Sequence, residues 1–166
     1  MEIKNHFGVY GICLQDGKLF CIEKTREPYQ HRFDLPGGSQ EPGEGLTETL
    51  KREVLEETGY TLSRYSNPRM YDVLVQEEGQ DFAVHHIMAF YDIEVNEKEP
   101  QVTISEAVSD GANDSLGYVW MDIQKITEEN ASPLVLKVKS ELLGFPELDK
   151  TLYMNWKVND EKPTCP

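Results

Sequence analysis

The spacing of apolar residues predicts an amphipathic helix in the first third of the chain. Within 45–58, Leu46, Leu50 and Val54 recur every fourth residue, which places them on one face of a helix. Gly59 follows directly, and glycine commonly ends a helix. The segment is therefore predicted to pack against a core through this apolar stripe.

Most of the remaining chain has the pattern of β-strands. Apolar runs and turn residues predict strands over 6–15, 19–23, 61–76, 82–95 and 117–121. Asp16-Gly17 predicts a two-residue hairpin turn between the first two strands. A second amphipathic helix is predicted over 133–143, before Gly144. This order of elements predicts an α/β (α+β) fold with a mixed sheet covered by helices.

The 166 residues, 19.0 kDa, are predicted to form one domain over 1–166, with 151–166 as a C-terminal tail. The sequence has no internal repeat, low-complexity segment or linker-like stretch. The first six residues are polar and have no leader character. The three cysteines are interpreted as free thiols of a reducing compartment. We therefore expect a cytoplasmic protein.

The charge balance excludes two classes of partner. Sixteen basic residues against thirty acidic residues give a net charge of −14. Such a surface repels nucleic-acid polymers and anionic membranes, because both are bound largely through Lys and Arg. No apolar run approaches the roughly 20 residues of a membrane span. The negative charge does not exclude small phosphorylated ligands, provided that a divalent metal supplies the missing positive charge.

Three glutamates share one face of the first predicted helix. Glu53, Glu56 and Glu57 stand at i, i+3 and i+4, on the side away from the apolar stripe. Carboxylates this close repel each other, whereas Mg²⁺ binds carboxylate and phosphate oxygens together. The alternative interpretation is a solvated charged face, which is the usual role of Glu/Arg runs.

Arg52 can hold these carboxylates in a fixed geometry. It lies four residues after Glu48 and four before Glu56, within reach of both on a helix. Glu44, where the loop enters the helix, can compete for the same guanidinium.

The spacing over 38–60 resembles the Nudix box, Gly-x5-Glu-x7-Arg-Glu-U-x-Glu-Glu-x-Gly-U, where U is a bulky apolar residue. Val54 fits the first apolar position, whereas Tyr60 departs mildly from the aliphatic residue usual at the second. The seven fixed positions are filled by Gly38, Glu44, Arg52, Glu53, Glu56, Glu57 and Gly59.

The resemblance implies a Nudix-type α/β/α sandwich and a MutT-like pyrophosphohydrolase that uses Mg²⁺ or Mn²⁺. Arg52 and Glu44 are then expected to orient the site. The metal would neutralise the diphosphate, position the water and lower its pKa, and an acid would take the proton. The implied metal ligands are the carbonyl of Gly38 and the carboxylates of Glu53, Glu56 and Glu57.

A further catalytic acid is expected outside the box. Related enzymes often supply one from the loop before a late strand that carries a tryptophan, here Trp120. Asp114 lies six residues upstream and is the first candidate, with Asp110 and Glu106 as competitors. An ordinary role as solvated loop acids is the alternative for all three.

Candidates for substrate binding precede the box. Lys24, Arg26 and Arg32 could meet substrate phosphates, or could belong to the solvated surface. Tyr29 and Phe33 could stack on a nucleobase, although packing in the core or loop is the favoured interpretation.

The resemblance leaves the substrate open among small nucleotides. The default is a nucleoside triphosphate cleaved to monophosphate and pyrophosphate. A nucleotide sugar such as ADP-ribose is the alternative substrate, and a non-catalytic Nudix-fold ligand sensor is the alternative class. Many relatives form dimers, so a homodimer is possible.

Overall fold

A computed structural model describes residues 1–96, 115–146 and 148–162. It contains two α-helices, α1 (Leu46–Thr58) and α2 (Pro133–Leu142), and a single 3₁₀ turn, Ile123–Lys125, in the described ranges. The strands are β1 (Glu2–Ile12), β2 (Leu14–Gln15), β3 (Lys18–Lys24), β4 (Phe33–Asp34), β5 (Gly37–Gly38), β6 (Leu62–Glu77), β7 (Phe82–Val95), β8 (Ser115–Asp122) and β9 (Thr151–Trp156).

The strands form two sheets, and the larger one is mixed. Its order is β5-β1-β7-β6-β9, with β1 parallel to β7 and β6 antiparallel to β7. In the smaller sheet β3 pairs with β2, β4 and β8, each time antiparallel. None of the helices in the described ranges is long and apolar enough to cross a membrane.

The predicted hairpin turn after the first strand is confirmed. Leu14 lies opposite Leu19 and Gln15 opposite Lys18, which leaves two residues in the turn. Asp16 and Gly17 have φ values of 50° and 73°. Positive φ at both positions matches the right-handed twist of the flanking strands, which explains the Asp-Gly pair.

Helix α1 follows the sequence pattern except at its first residue. Leu50 and Val54 are fully buried, but Leu46 is 38% exposed because it lies on the first turn, beyond the part that packs on the sheet. Gly59 adopts φ 78° and its N–H donates to Leu55 O, which ends the helix as predicted.

The two helices cover opposite faces of the larger sheet. Alternate residues of β1 show the layering, since successive side chains on a strand point to opposite faces. Val9 packs in one apolar cluster with Leu50 and Val54 of α1, whereas Tyr10 belongs to a second cluster that includes Val135 of α2. The predicted α/β/α arrangement around a mixed sheet is confirmed.

The assignment of 151–166 to a C-terminal tail is wrong for its first six residues. Strand β9 pairs in parallel with β6, with Val73 opposite Thr151 and Glu77 opposite Trp156. Trp156 is buried in the second cluster, so this edge strand contributes to the core.

Candidate active site

The glycine-rich strand β5 brings the start of the motif against helix α1. Gly38 pairs with Val9 on one side and faces the Glu53 side chain on the other. A Cβ at position 38 would lie 2.7–2.8 Å from the Glu53 carboxylate. The absence of a side chain therefore allows this carboxylate to lie directly against the backbone at Gly38.

Arg52 binds several oxygens of this region through all three of its nitrogens. Its Nε donates to Glu44 Oε1 at 2.6 Å, and its Nη1 donates to Glu53 Oε1 at 2.8 Å and to Glu56 Oε2 at 3.2 Å. Its Nη2 donates to the Ser39 carbonyl at 2.9 Å. The guanidinium thus joins the loop before α1 to two carboxylates of the helix, as expected for an orienting residue.

Glu44 holds the loop side of this network. Besides Arg52, its Oε2 accepts from the Glu41 N–H at 3.0 Å and from Thr49 Oγ1 at 2.8 Å. These hydrogen bonds, first those from Arg52, lower the pKa of Glu44 to about 2. Glu44 is therefore ionised. Glu48, which helical spacing also placed within reach of Arg52, accepts a hydrogen bond from the Gly45 N–H at 2.7 Å.

Glu57 is the most deeply placed of the three helix carboxylates. Its side chain is 5% exposed, against 15% for Glu53 and 50% for Glu56. Its Oε2 accepts from the Gly37 N–H at 2.8 Å, and its Oε1 lies 3.7 Å from Lys24 Nζ. Burial raises the pKa of Glu53, with Arg52 opposing that shift.

The donor set fits a hard divalent cation. Within the described residues, no three His, Cys, Asp or Glu side chains are already arranged to hold a metal ion. The contacts above nonetheless concentrate more negative than positive charge, because four carboxylates share two cations. Carboxylate and carbonyl oxygens are the ligands that Mg²⁺ and Mn²⁺ prefer. The members of this acidic cluster are Glu44, Glu53, Glu56 and Glu57, with Arg52 and Lys24 as its cations.

Lys24, one of the three predicted phosphate-binding cations, lies 3.7 Å from Glu57. Lys24 and Arg26 line a cavity next to the acidic cluster. Arg32 is wrong as a candidate: its side chain is buried, donates to the Glu128 and Lys157 carbonyls, and lies 4.2 Å from the Trp156 ring. It holds the C-terminal segment in place.

The aromatic candidates before the motif are both buried. Phe33 and Tyr29 belong to the same apolar cluster, as the favoured interpretation expected. Tyr29 also lines the cavity next to the acidic cluster. Asp114, Asp110 and Glu106 lie outside the described residues.

Three further residues of this cavity, His6, Tyr10 and His86, are not among the predicted site residues. Tyr10 and His86 are buried there, and His6 lies beside them. The available signal was the alternation of β1, which places His6, Gly8 and Tyr10 on one face. The pairing of His6 with His86 across β1 and β7 is non-local and could not be deduced from that alternation.

Comparisons with known proteins agree on one family. A family model described as "NUDIX domain" matches residues 3–139. An ADP-ribose pyrophosphatase of Methanocaldococcus jannaschii is 39% identical over 66 residues, which cover 36% of this chain and 39% of that protein. A putative 8-oxo-dGTP diphosphatase of Bacillus subtilis is 34% identical over 71 residues, which cover 39% of this chain and 46% of that protein.

Solved structures show the same fold at low identity. A MutT protein from Methanosarcina mazei superposes with a TM-score of 0.60 and 20% identity, over 87% of this chain and 96% of that one. The alignments to the two enzymes above cover less than half of either protein.

Proposed function

Because the chain belongs to the Nudix family, we propose that it is a divalent-metal-dependent pyrophosphohydrolase that cleaves a phosphoanhydride bond of a small nucleotide. The observation that carries the proposal is the acidic cluster. All seven fixed positions of the motif are filled. Arg52 joins Glu53 and Glu56, the Glu53 carboxylate lies against Gly38, and Glu57 accepts from the N–H of the adjacent Gly37.

Each residue of the cluster has a proposed role. Glu53, Glu56, Glu57 and the Gly38 carbonyl would hold Mg²⁺ or Mn²⁺, which supplies charge neutralisation at the diphosphate and an activated water. Arg52 and Glu44 orient the carboxylates through their hydrogen bonds. Lys24 and Arg26 bind substrate phosphate, and Asp114 is a candidate for the proton-accepting acid.

The preferred substrate is a nucleoside triphosphate, cleaved to a monophosphate and pyrophosphate. The likeness to a putative 8-oxo-dGTP diphosphatase supports it, and the likeness to an ADP-ribose pyrophosphatase favours a nucleotide sugar as the second candidate. A cytoplasmic location and a homodimer stay predictions.

The test is hydrolysis of a nucleotide panel with and without Mg²⁺. The panel holds common and oxidised nucleoside triphosphates, ADP-ribose, other nucleotide sugars, NADH and diadenosine polyphosphates, with products separated by chromatography. A triphosphate substrate yields monophosphate and pyrophosphate, whereas a nucleotide sugar yields two monophosphates. Metal-dependent cleavage of any member supports the proposal.

A sensor that binds but does not cleave would give a different result. It would bind nucleotide tightly without turnover at any metal concentration. That outcome would refute the hydrolase proposal, because a complete acidic cluster would then serve binding alone.

A further inference from the structure

The loop 25–32 joins β3 to β4 and forms one wall of the cavity next to the acidic cluster. Arg26, Pro28 and Tyr29 of this loop line the cavity. The loop is built from turns, and its His31 has φ 57°, in the left-handed region that non-glycine residues rarely adopt. A conformation of this kind persists only where the surrounding structure holds it.

The end of β9 and the residues after it pack directly on this loop; residues 156–159 are termed the C-terminal clamp. Trp156, the last residue of β9, is buried, and its Nε1 donates to the Pro28 carbonyl at 3.0 Å. The Arg32 guanidinium lies 4.2 Å from the centre of the Trp156 ring, and the Tyr29 ring meets that ring edge-on. Trp156 therefore contacts both the middle and the end of the loop.

Hydrogen bonds fix the end of the loop to the rest of the clamp. Arg32 Nη1 donates to the Lys157 carbonyl at 2.7 Å, a charge-assisted bond. Asn159 Nδ2 donates to the Glu129 carbonyl at 2.8 Å and to the His31 carbonyl at 3.4 Å. Asn159 thus joins the left-handed residue of the loop to the segment before α2.

The residues that the clamp holds are bonded in turn to the main chain of Lys24. The Lys24 N–H donates to the Arg32 carbonyl at 3.0 Å, and the His31 N–H donates to the Lys24 carbonyl at 2.9 Å. The Lys24 ammonium lies 3.7 Å from Glu57 Oε1. A displacement of the loop would therefore move Lys24 relative to the acidic cluster.

The clamp lies outside the residues that the family model matches. That match ends at residue 139, before β9 and residues 156–159. Membership of the family therefore implies no role for the clamp, and its role has to be argued from its contacts in this chain.

We propose that the C-terminal clamp positions the substrate-binding loop: Trp156 and Asn159 hold loop 25–32 so that Lys24 and Arg26 are placed to bind substrate phosphate. The proposal rests on the proposed function, because it concerns substrate affinity at that same site. Trp156 and Asn159 are positioning residues, since they act through the loop.

Hydrogen exchange of the full chain, followed by mass spectrometry, tests whether the clamp holds the loop. Asn159→Ala removes the bond to the His31 carbonyl, and Trp156→Phe removes the bond to the Pro28 carbonyl. In each variant we expect amides of 24–32 to exchange about fivefold faster, the factor that corresponds to one ordinary hydrogen bond. Amides of α1 should exchange as in wild type.

Steady-state kinetics on the best panel substrate tests whether the position of the loop affects binding. KM should rise about fivefold in both variants while kcat stays within about twofold, because a phosphate contact common to ground state and transition state affects binding alone. Lys157→Gln is the matched control. It replaces an exposed side chain but keeps the main-chain carbonyl that accepts from Arg32, so exchange and KM should equal those of wild type.

Wild-type exchange of 24–32 in both variants would overturn the proposal, because the clamp would then not hold the loop. Faster exchange with an unchanged KM would also overturn it, because the position of the loop would not affect substrate binding. So would equal acceleration of α1, which indicates a general loss of stability, or an equal rise of KM in Lys157→Gln, which assigns the effect to charge.

The clamp proposal and the proposed function fail in different ways. Faster exchange of 24–32 in the variants, without hydrolysis of any panel member by wild type, would refute the proposed function and keep the attachment of the loop to the clamp. Metal-dependent hydrolysis whose KM is unaffected by Asn159→Ala and Trp156→Phe would refute the role of the clamp and keep the proposed function.

Discussion

Replacing Gly38 with alanine should displace the Glu53 carboxylate without unfolding the protein. The new Cβ would stand 2.7 Å from Glu53 Cδ, and ordinary contact begins at 3.4 Å, so one of the two must move by about 0.7 Å. The mobile partner is the end of the glutamate side chain. A misplacement of about 1 Å at a catalytic site can cost about 100-fold in rate, so we expect kcat to fall about 10- to 100-fold.

Stability should change little in the same variant. Gly38 lies outside the left-handed region of φ, so alanine fits its backbone and restricts the unfolded chain, a gain of about 0.4–1 kcal/mol. Displacing the Glu53 side chain from its preferred rotamer costs about 0.5–1.5 kcal/mol, which roughly cancels that gain in stability. The melting temperature should therefore stay within about 4 °C of wild type.

The assay is kcat on the best panel substrate together with a thermal melt, and Gly45→Ala is the control. A Cβ at Gly45 would lie 3.4 Å from Glu48 Oε2, an ordinary contact, and Gly45 does not touch Glu53. Because alanine is a weaker N-cap than glycine, Gly45→Ala should lower the free energy of unfolding by about 1 kcal/mol with little loss of kcat. Wild-type kcat in Gly38→Ala, or a loss of kcat only in proportion to a fall in melting temperature, would contradict the positioning of Glu53 by Gly38.

Three further variants test separate parts of the account. Glu57→Gln should lower kcat by orders of magnitude with a nearly unchanged melt, because the amide oxygen can still accept the main-chain N–H; surviving Mg²⁺-dependent turnover would contradict the metal assignment. Arg52→Lys should lower kcat more than it raises KM, since one ammonium cannot serve Glu44 and Glu53 together; a lower melting temperature with normal kcat would indicate a purely structural role. Because burial lowers the pKa of His86 to about 3 from the ordinary histidine value of 6.5, the free energy of unfolding should be highest above about pH 6.5 and fall toward pH 3, by at most about 1.4 kcal/mol per pH unit. The free energy of unfolding of His86→Gln should lack this loss at low pH. The same pH dependence of unfolding in wild type and variant would contradict the burial of a neutral His86.

Local pattern predicted the elements that depend on neighbouring residues. The Asp16-Gly17 turn and the Gly59 helix end follow from backbone conformations that few residues adopt readily. The carboxylate face of α1 follows from helical spacing alone. These features required no knowledge of the tertiary structure.

The features that sequence analysis missed all depend on distant partners. Strand β9 is defined by its pairing with β6. Arg32 has a structural role because its guanidinium lies over the Trp156 ring and donates to the Lys157 carbonyl. His6 and His86 are eighty residues apart in number yet opposite each other in the parallel β1–β7 pair. A single sequence records alternation within a strand but not which strand lies beside it.

The most direct test of the central claim is Mn²⁺ binding, followed by electron paramagnetic resonance, to wild type and to Glu57→Gln. The account predicts saturable binding to wild type that Mg²⁺ displaces and that weakens strongly in the variant, because a buried carboxylate of the acidic cluster has been neutralised. Equal Mn²⁺ affinity in the two proteins, with both folded, would contradict the assignment of the metal site to this face of α1.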